Sequence, residues 1–238
     1  MADHWGLVCM ALVAGLSMPV GALLARFENV RAHWLEQEFR HSVMAFGGGA
    51  LLSAVALILV PDGIKMVTPG LAALSLLTGG IAFLGVDVWL AKRQTSASQL
   101  VAMMSDFVPE SIALGAMLAL GGGAAAWLLV LLMALQNLPE GFNAYRELRA
   151  ANSMEGSKII SAFFCMAFLG PLAALLGYFW LAELQKLLAC IMLFAAGGIL
   201  YSVFGDIAPA AKLENHRAPP LGAVLGFSLG VVGHMLIH

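Results

Sequence analysis

Residues 100–148 read LVAMMSDFVPESIALGAMLALGGGAAAWLLVLLMALQNLPEGFNAYREL, two long apolar runs on either side of a Gly-Gly-Gly turn at 121–123. A helix needs about 20 mostly apolar residues to cross roughly 30 Å of hydrocarbon. Leu100–Leu120 and Ala124–Leu148 both meet this length. The stretch therefore predicts two membrane-spanning helices, and the short turn makes them antiparallel.

Six further runs of this kind bring the total to eight. In chain order the predicted spans are Trp5–Leu24, Met44–Val60, Pro69–Leu90, Leu100–Leu120, Ala124–Leu148, Ile159–Leu181, Leu187–Ile207 and Leu221–Ile237. The runs lack the roughly ten-residue alternating pattern of a membrane barrel. We expect an all-α integral membrane protein of eight transmembrane helices.

The composition excludes a soluble globule. Of the 238 residues 61% are hydrophobic and 11% are charged, and the mean hydropathy is +0.90. A soluble domain carries roughly 25% charged residues. The largest polar connectors, Phe27–His41 and Arg149–Ser157, are too short for a soluble domain. Residues 1–238 are therefore predicted to form a single polytopic transmembrane domain.

The cations predict the orientation of the helices. Alternate loops on one side hold Arg26, Arg31, Arg40, Lys92, Arg93, Arg146, Arg149, Lys158, Lys212 and Arg217. The loops on the other side hold only Lys65 and Lys186. Because Lys and Arg concentrate in cytoplasmic loops, both termini should be extracytoplasmic. The prediction is a multi-pass protein of the cell (inner) membrane.

The sequence disfavours both nucleic-acid binding and cysteine-based sites. A formal net charge of -2 with scattered cations offers no phosphate-binding surface, so no nucleic acid is expected. Cys9, Cys165 and Cys190 lie inside apolar runs without CxxC spacing. A disulfide framework or a thiolate zinc site therefore has little support.

Polar motifs interrupt the fourth and fifth runs. Asp106 and Glu110 are four residues apart, as are Gln136 and Glu140, so each pair shares one helix face. Asn143 extends the face of Glu140 by three residues. Ionisable side chains within a membrane cost several kcal/mol unless they face a wet or paired interior. Each of these residues is therefore a candidate for function.

The antiparallel register brings the two motifs to one depth. Residues at equal depth in such a hairpin have a constant sum of indices, and Asp106 with Glu140 gives the same sum as Glu110 with Gln136. Neither motif contains Lys or Arg, so a bound cation would neutralise the carboxylates. Oxygen-rich sites suit divalent ions. The alternative is that the carboxylates are protonated or make structural hydrogen bonds between helices.

At these residues the sequence resembles the ZIP (Zrt-, Irt-like protein) family of divalent metal transporters. The family carries His-Asn-x-Pro-Glu-Gly on its fourth helix and a His-Glu-x-Pro-x-Gly-like sequence on its fifth, similar here to 106–111 and 136–141. Gly47–Asp62 is similar to the family's glycine-rich second helix, and Gly170–Leu172 to a motif on the sixth. The resemblance implies a ZIP-like eight-helix bundle, outward termini and a homodimer.

The departures from the family pattern reshape the expected site. Asp106 and Gln136 replace the two motif histidines, and Phe107, Asn137 and Gly170 stand where the family's second metal site has ligands. The bridging second site is therefore expected to be lost. The cytoplasmic loop Lys92–Gln99 also lacks histidine.

One metal site is left. We expect it to comprise the four residues Asp106, Glu110, Gln136 and Glu140. Hard oxygen donors favour Mn²⁺, Fe²⁺ or Mg²⁺, although zinc also accepts carboxylates.

Other polar residues are secondary candidates. Ser111, Asn137 and Asn143 could add ligands to the site. Asp62, Asp87 and Asp206 lie near predicted helix ends, where helix termination or contact with interfacial water is the simpler interpretation. Alternatively, Asp62 attracts cations at the outer mouth and Asp206 receives them at the exit.

The expected function is transport of a divalent metal cation, zinc, iron or manganese, toward the cytoplasm. The metal is the transported substrate, so no resident cofactor is predicted. One alternative is a permease for another polar or cationic solute on the same scaffold. The other is an intramembrane metal-dependent enzyme, which has less support because the motifs offer no histidine as general base. We therefore expect a transporter and not an enzyme.

Overall fold

The computed structural model describes residues 4–28, 33–93, 96–151, 154–211 and 218–237. Within these ranges the chain forms helices and no strand. The helices are α1 (His4–Phe27), α2 (His33–Ala54, continued by Val55–Leu59 and Val60–Ile64), α3 (Pro69–Arg93), α4 (Ser96–Ala119), α5 (Gly123–Ala150), α6 (Gly156–Ala167, continued by Leu169–Leu176 and Gly177–Leu181), α7 (Gln185–Ser202, continued by Val203–Ile207 and Ala208–Ala211) and α8 (Pro219–Ile237).

Eight of the described helices are long and apolar enough to cross a membrane. This confirms the predicted number of spans and their order, and it fits a multi-pass membrane protein. The second span extends from Glu38 to Ile64, longer than the apolar run from Met44 to Val60. Its added first residues are polar, so hydropathy alone did not include them.

Glycines set the closest helix contacts, as their positions in the sequence indicate. Gly21 of α1 lies against the Leu138 carbonyl of α5, and Gly141 of α5 lies against the Met18 carbonyl of α1. A Cβ atom at either glycine would overlap the facing backbone. The absence of side chains therefore lets the two helices approach closely.

The same arrangement recurs elsewhere in the bundle. Gly79 of α3 meets the α7 backbone and Gly197 of α7 meets the α3 backbone. On α8, Gly222, Gly226 and Gly230 face α2. Small residues thus serve as packing contacts, which is the role expected for them.

Side-chain contacts between helices show how the chain alternates in direction. Asn137 bonds to Ala14, and Arg146 pairs with Glu28, so α1 and α5 run the same way. The ring of His4 lies 5.2 Å from the ring of Tyr178, near the end of α6, so α1 and α6 run in opposite directions. We call the end of the bundle that contains His4 and the end of α8 the terminal end. The opposite end, where α1, α3, α5 and α7 finish, is the connector end.

The described cations are distributed as the sequence predicts. Arg26, Arg40, Lys92, Arg93, Arg146, Arg149 and Lys158 are near the connector end. Lys65 and Lys186 lie near the terminal end. Arg31, Lys212 and Arg217 fall outside the described residues. The side of the membrane that each end faces stays a prediction.

The contact between α1 and α5 gives a test of the packing. Substituting Gly141→Ala should lower the free energy of unfolding by about 1–3 kcal/mol, because the new methyl group overlaps the Met18 backbone. The matched control is Gly85→Ala on α3, since a Cβ atom there meets no other atom within 4 Å. Thermal unfolding of both variants in detergent measures the difference. Equal melting temperatures would show that the close approach is unimportant.

Candidate functional site

A hydrogen bond joins the two polar motifs inside the bundle. Gln136 Nε2 on α5 donates to Glu110 Oε2 on α4 at 2.7 Å. Both side chains are fully buried. This is the pairing that the antiparallel register predicts. The helices α4 and α5 therefore present their polar faces to each other.

Each partner keeps one oxygen without a hydrogen-bond donor. Among the described residues, neither Glu110 Oε1 nor Gln136 Oε1 has a partner, and both atoms are buried. Buried polar atoms are nearly always paired with protein, water or an ion. The pair is therefore an oxygen site that a cation, a proton or a water molecule can complete.

Asp106 and Glu140 lie one helical turn nearer the connector end. Both line a cavity of about 630 Å³. Asp106 is only 8% exposed, and its Oδ1 atom has no donor within the described ranges. Asn143, 7% exposed, lines the same cavity, and its Oδ1 atom also has no donor within the described ranges. The polar face of α5 thus continues from Gln136 to Asn143.

The rest of the cavity wall comes from α2, α3, α4 and α7, and from Glu147 of α5. The other lining residues are Met44, Asp87, Leu90, Ala91, Ala102, Met103, Glu147, Ser202, Gly205, Asp206, Ile207 and Pro209. The lining therefore contains five carboxylates and, in the described part of the chain, no Lys, Arg, His or Cys. The exposed residues Glu147 and Pro209 are at its rim at the connector end. The cavity is strongly acidic and reaches from that rim to the carboxylate of Asp106.

A π-helical segment forms the α7 side of the cavity. Val203–Ile207 includes Asp206, which lines the cavity. Nearby, Tyr201 Oη donates to Asp87 Oδ2 on α3 at 2.9 Å. π-Helical turns within α-helices are frequent at functional sites. Asp206, for which an exit role was the alternative interpretation, shares a cavity with the motif residues Asp106 and Glu140.

The four residues predicted to form one metal site are arranged in two levels. Glu110 and Gln136 form the inner pair, and Asp106 and Glu140 line the cavity. In the described portion of the chain, no group of three or more His, Cys, Asp or Glu residues is close enough to hold one ion. The four side chains therefore do not form a closed cage in this structure.

Three other predicted residues occupy distinct places. Asn137 Nδ2 donates to the Ala14 carbonyl of α1 at 2.9 Å, so its amide faces α1 and ties two helices together. Ser111 is fully buried and its Oγ atom has no described partner, but it does not line the cavity. Asn143 alone of the three lines it.

One side chain of α4, Phe107, packs against both α1 and α6. The fully buried ring of Phe107 lies against Gly170 of α6, where a Cβ atom would sit 2.6 Å from the ring carbon Cζ. The ring also contacts Gly15 of α1. Phe107, Asn137 and Gly170 are the positions expected to have lost a second metal site. Here they hold an aromatic packing contact and an interhelical hydrogen bond.

Asp62 lies on α2 at the terminal end of the bundle, away from the acidic cavity. Its Oδ1 atom accepts from Lys65 Nζ at 2.7 Å, and it lines a pocket of about 240 Å³ with Pro61 and His234. The carboxylate of Asp62 is therefore neutralised by Lys65, which directly follows the last residue of α2.

Two acidic residues of the cavity were not among the predicted site residues. Asp87, expected to end a helix or to contact interfacial water, lines the cavity, and so does Glu147. Asp87 and Asp206 were predicted at similar depth on helices that run in the same direction. That shared depth was the available signal, but it does not show which way a side chain faces.

No protein-family model matches this chain, and no curated protein matches it. The relation to the ZIP family therefore remains a prediction from the motifs.

The inner pair can be tested by a double-mutant cycle. Gln136→Leu should destabilise the protein by about 1–3 kcal/mol, because it leaves the buried Glu110 carboxylate without its donor. Adding Glu110→Leu should recover much of that loss, since replacing both partners by apolar groups can be nearly neutral. Thermal unfolding in detergent measures the stability of Gln136→Leu, of Glu110→Leu and of the double variant. Simple additivity of the two single effects would contradict the pairing.

Proposed function

We propose that the protein carries a divalent metal cation across the membrane through the acidic cavity and the α4–α5 site. The observation that carries the proposal is the cavity lining. It includes the carboxylates of Asp106 and Glu140 and no basic side chain within the described ranges. Such a cavity favours a positively charged ligand.

Electrostatics makes this preference strong. Two unit charges 4 Å apart interact by about 4 kcal/mol at the effective dielectric constant of a protein surface, and by more where water is excluded. Five carboxylates line the cavity. They repel an anion and attract a cation, and divalent ions bind readily to oxygen donors.

The charge distribution supports a direction. If the cation-rich connector end is cytoplasmic, as the positive-inside rule indicates, the cavity opens to the cytoplasm. The terminal end, with both described chain ends, then lies outside a cell (inner) membrane. The fully buried Leu114 and Met133 are one turn beyond the inner pair toward that side. The described state would then be open inward and closed outward.

In the proposed cycle, the cation enters from outside and passes Asp62 at the mouth. It binds at Glu110 and Gln136, moves to Asp106 and Glu140, and leaves past Asp206. Rocking of one helix group against another around the site would expose it to each side in turn. Because metal binding requires deprotonated carboxylates, protons compete with the ion and assist its release.

The motif resemblance supports placing the chain as a divergent ZIP-like protein. The observed eight apolar helices and the facing Pro-Glu motifs are compatible with that bundle. The same resemblance implies a homodimer in the lipid bilayer, which cross-linking in membranes would test.

Transport by the purified protein in liposomes tests the proposal. Glu140→Gln should lower the initial rate of divalent-metal uptake by at least about tenfold, which corresponds to a loss of about 1.4 kcal/mol of binding to the moving ion. The control is Glu155→Gln, because Glu155 lies exposed at the same end, beside Lys158, and does not line the cavity. Metal content of the vesicles, measured by mass spectrometry, gives the rates. Unchanged uptake by Glu140→Gln would remove the site assignment.

A second candidate substrate is a small organic cation. The cavity of about 630 Å³ falls in the range of small-molecule sites, roughly 300–1,000 Å³. Calorimetry with a panel of metal ions separates the two candidates. An organic-cation permease should show no saturable metal binding that depends on Asp106 and Glu140.

A further inference from the structure

An apolar groove of about 480 Å³ lies on the outer surface of the bundle, between α1, α2, α5 and α8. Three of its lining residues, Phe39 of α2, Leu131 of α5 and Leu225 of α8, are between 48% and 62% exposed. Within the described ranges, the lining contains no charged side chain. Because these helices are long and apolar enough to cross a membrane, the groove opens toward the acyl chains of the lipids.

The hydroxyl groups of the groove already have partners. Ser17 Oγ donates to the Val13 carbonyl at 3.1 Å, and Ser42 Oγ donates to the Glu38 carbonyl at 2.7 Å. Each of these bonds stays within one helix, so no side-chain donor of the described lining is left for a ligand. A polar group that entered the groove would lose its bonds to water without a replacement. The groove therefore favours a hydrocarbon chain.

The groove has the length of one lipid molecule. Gly47 of α2 meets Pro139 of α5, where a Cβ atom on the glycine would lie 3.2 Å from the ring carbon Cγ. Phe39 is eight residues from Gly47 toward the connector end, and Leu131 is eight residues from Pro139 toward the terminal end. At 1.5 Å for each residue, the two ends of the groove are about 24 Å apart along the bundle. One leaflet with its headgroups is about 20–22 Å thick.

The connector end of the groove lies at the depth of the lipid headgroups. The antiparallel register of α2 and α5 puts Phe39 level with Glu147, an exposed residue at the rim of the acidic cavity. The ion pair between Arg146 and Glu28 puts the end of α1 at the same level. A lipid in the groove would therefore have its headgroup beside the end of α1 and the early turns of α2.

Two arginines lie at this level, one on each of two helices that border the groove. Arg40 follows Phe39 on α2, and its buried Nε atom has no acceptor among the described residues. Arg26 is exposed near the end of α1. Buried polar atoms are nearly always paired, and arginine binds phosphate through several N–H donors. Charge complementarity therefore favours an anionic phospholipid over a neutral one.

The groove separates two closely packed pairs of helices. Glycines bring α1 against α5 and α8 against α2, and the groove runs between these two pairs. On α5, Leu135, Leu138 and Pro139 line the groove, whereas the neighbouring Gln136 and Glu140 belong to the α4–α5 site. An acyl chain in the groove would bury apolar surface of both pairs and so stabilise their contact.

We propose that the groove binds an acyl chain of an anionic phospholipid from the leaflet on the connector side, and that Arg26 and Arg40 bind its phosphate. The bound lipid stabilises the contact between the α1–α5 pair and the α2–α8 pair. This inference is independent of the proposed transport function, because it uses neither the Glu110–Gln136 bond nor the acidic cavity.

Native mass spectrometry of the full chain in detergent tests the proposal. Phosphatidylglycerol and phosphatidylcholine of equal chain length are added separately at equal concentrations. The wild-type protein should retain at least about fivefold more phosphatidylglycerol, which is the factor that one arginine near a membrane surface contributes toward an anionic lipid. Leu135→Trp, whose larger side chain fills the groove, should lose the phosphatidylglycerol adduct. The matched control is Leu77→Trp on α3, 63% exposed and outside the groove, which should keep it.

A second pair of variants tests the headgroup. Arg26→Gln combined with Arg40→Gln should reduce the retention of phosphatidylglycerol to that of phosphatidylcholine, because the groove stays open and only the charge is lost. The control combines Lys92→Gln with Lys158→Gln. It removes two exposed cations of the connector end from helices that do not border the groove, so the preference should be unchanged.

Melting temperature in detergent gives an independent measure of binding. Phosphatidylglycerol should raise the melting temperature of the wild-type protein and of Leu77→Trp, and it should leave that of Leu135→Trp unchanged. If Leu135→Trp does not fold, Leu225→Trp fills the groove from α8 and replaces it in both measurements.

Three results would overturn the proposal. Equal retention of the two phospholipids by the wild-type protein would contradict the role of the arginines. An unchanged adduct in the groove-filling variants would show that the lipid binds elsewhere. Retention of a free fatty acid in place of a phospholipid, or a dimer of the chain that Leu135→Trp dissociates, would show a different occupant. None of these results would bear on metal transport.

Discussion

The hydrogen bond from Gln136 to Glu110 is the interaction on which the rest of the site depends. It joins α4 to α5 at a single register, so the next turn of each helix brings Asp106 and Glu140 to the wall of one cavity. Carboxylates buried between apolar helices are costly unless a cation, a proton or water accompanies them. Their placement at the α4–α5 interface and around one cavity therefore favours a positively charged partner.

The packing around α5 directs its polar face toward α4 and the acidic cavity. On one side, Gly141 brings the backbone of α5 against that of α1, and Asn137 bonds to the Ala14 carbonyl. On α4, Phe107 fills the space beside Gly170 of α6 with an apolar ring. Asp106, Glu140 and Asn143 line the cavity, which α3 and α7 complete with Asp87 and Asp206.

Much of this arrangement could be predicted from the sequence. Apolar runs of membrane length identify the spans, and the short turn between α4 and α5 fixes which residues share a depth, so the pairing of Glu110 with Gln136 follows from counting. The direction in which a side chain faces could not be predicted so well. Asn137 is next to Gln136 but points to α1, because adjacent residues on a helix lie about 100° apart. The contributions of Asp87 and Glu147 depend on how distant helices pack, which neither hydropathy nor spacing encodes.

The central claim is that the acidic groups of α4 and α5 bind a cation together, and anomalous X-ray scattering tests it most directly. Crystals of the full chain soaked with MnCl₂ should show anomalous density between the two helices, within the region bounded by Glu110, Asp106 and Glu140. Density confined to the protein surface, with none in the cavity under saturating manganese, would contradict the account.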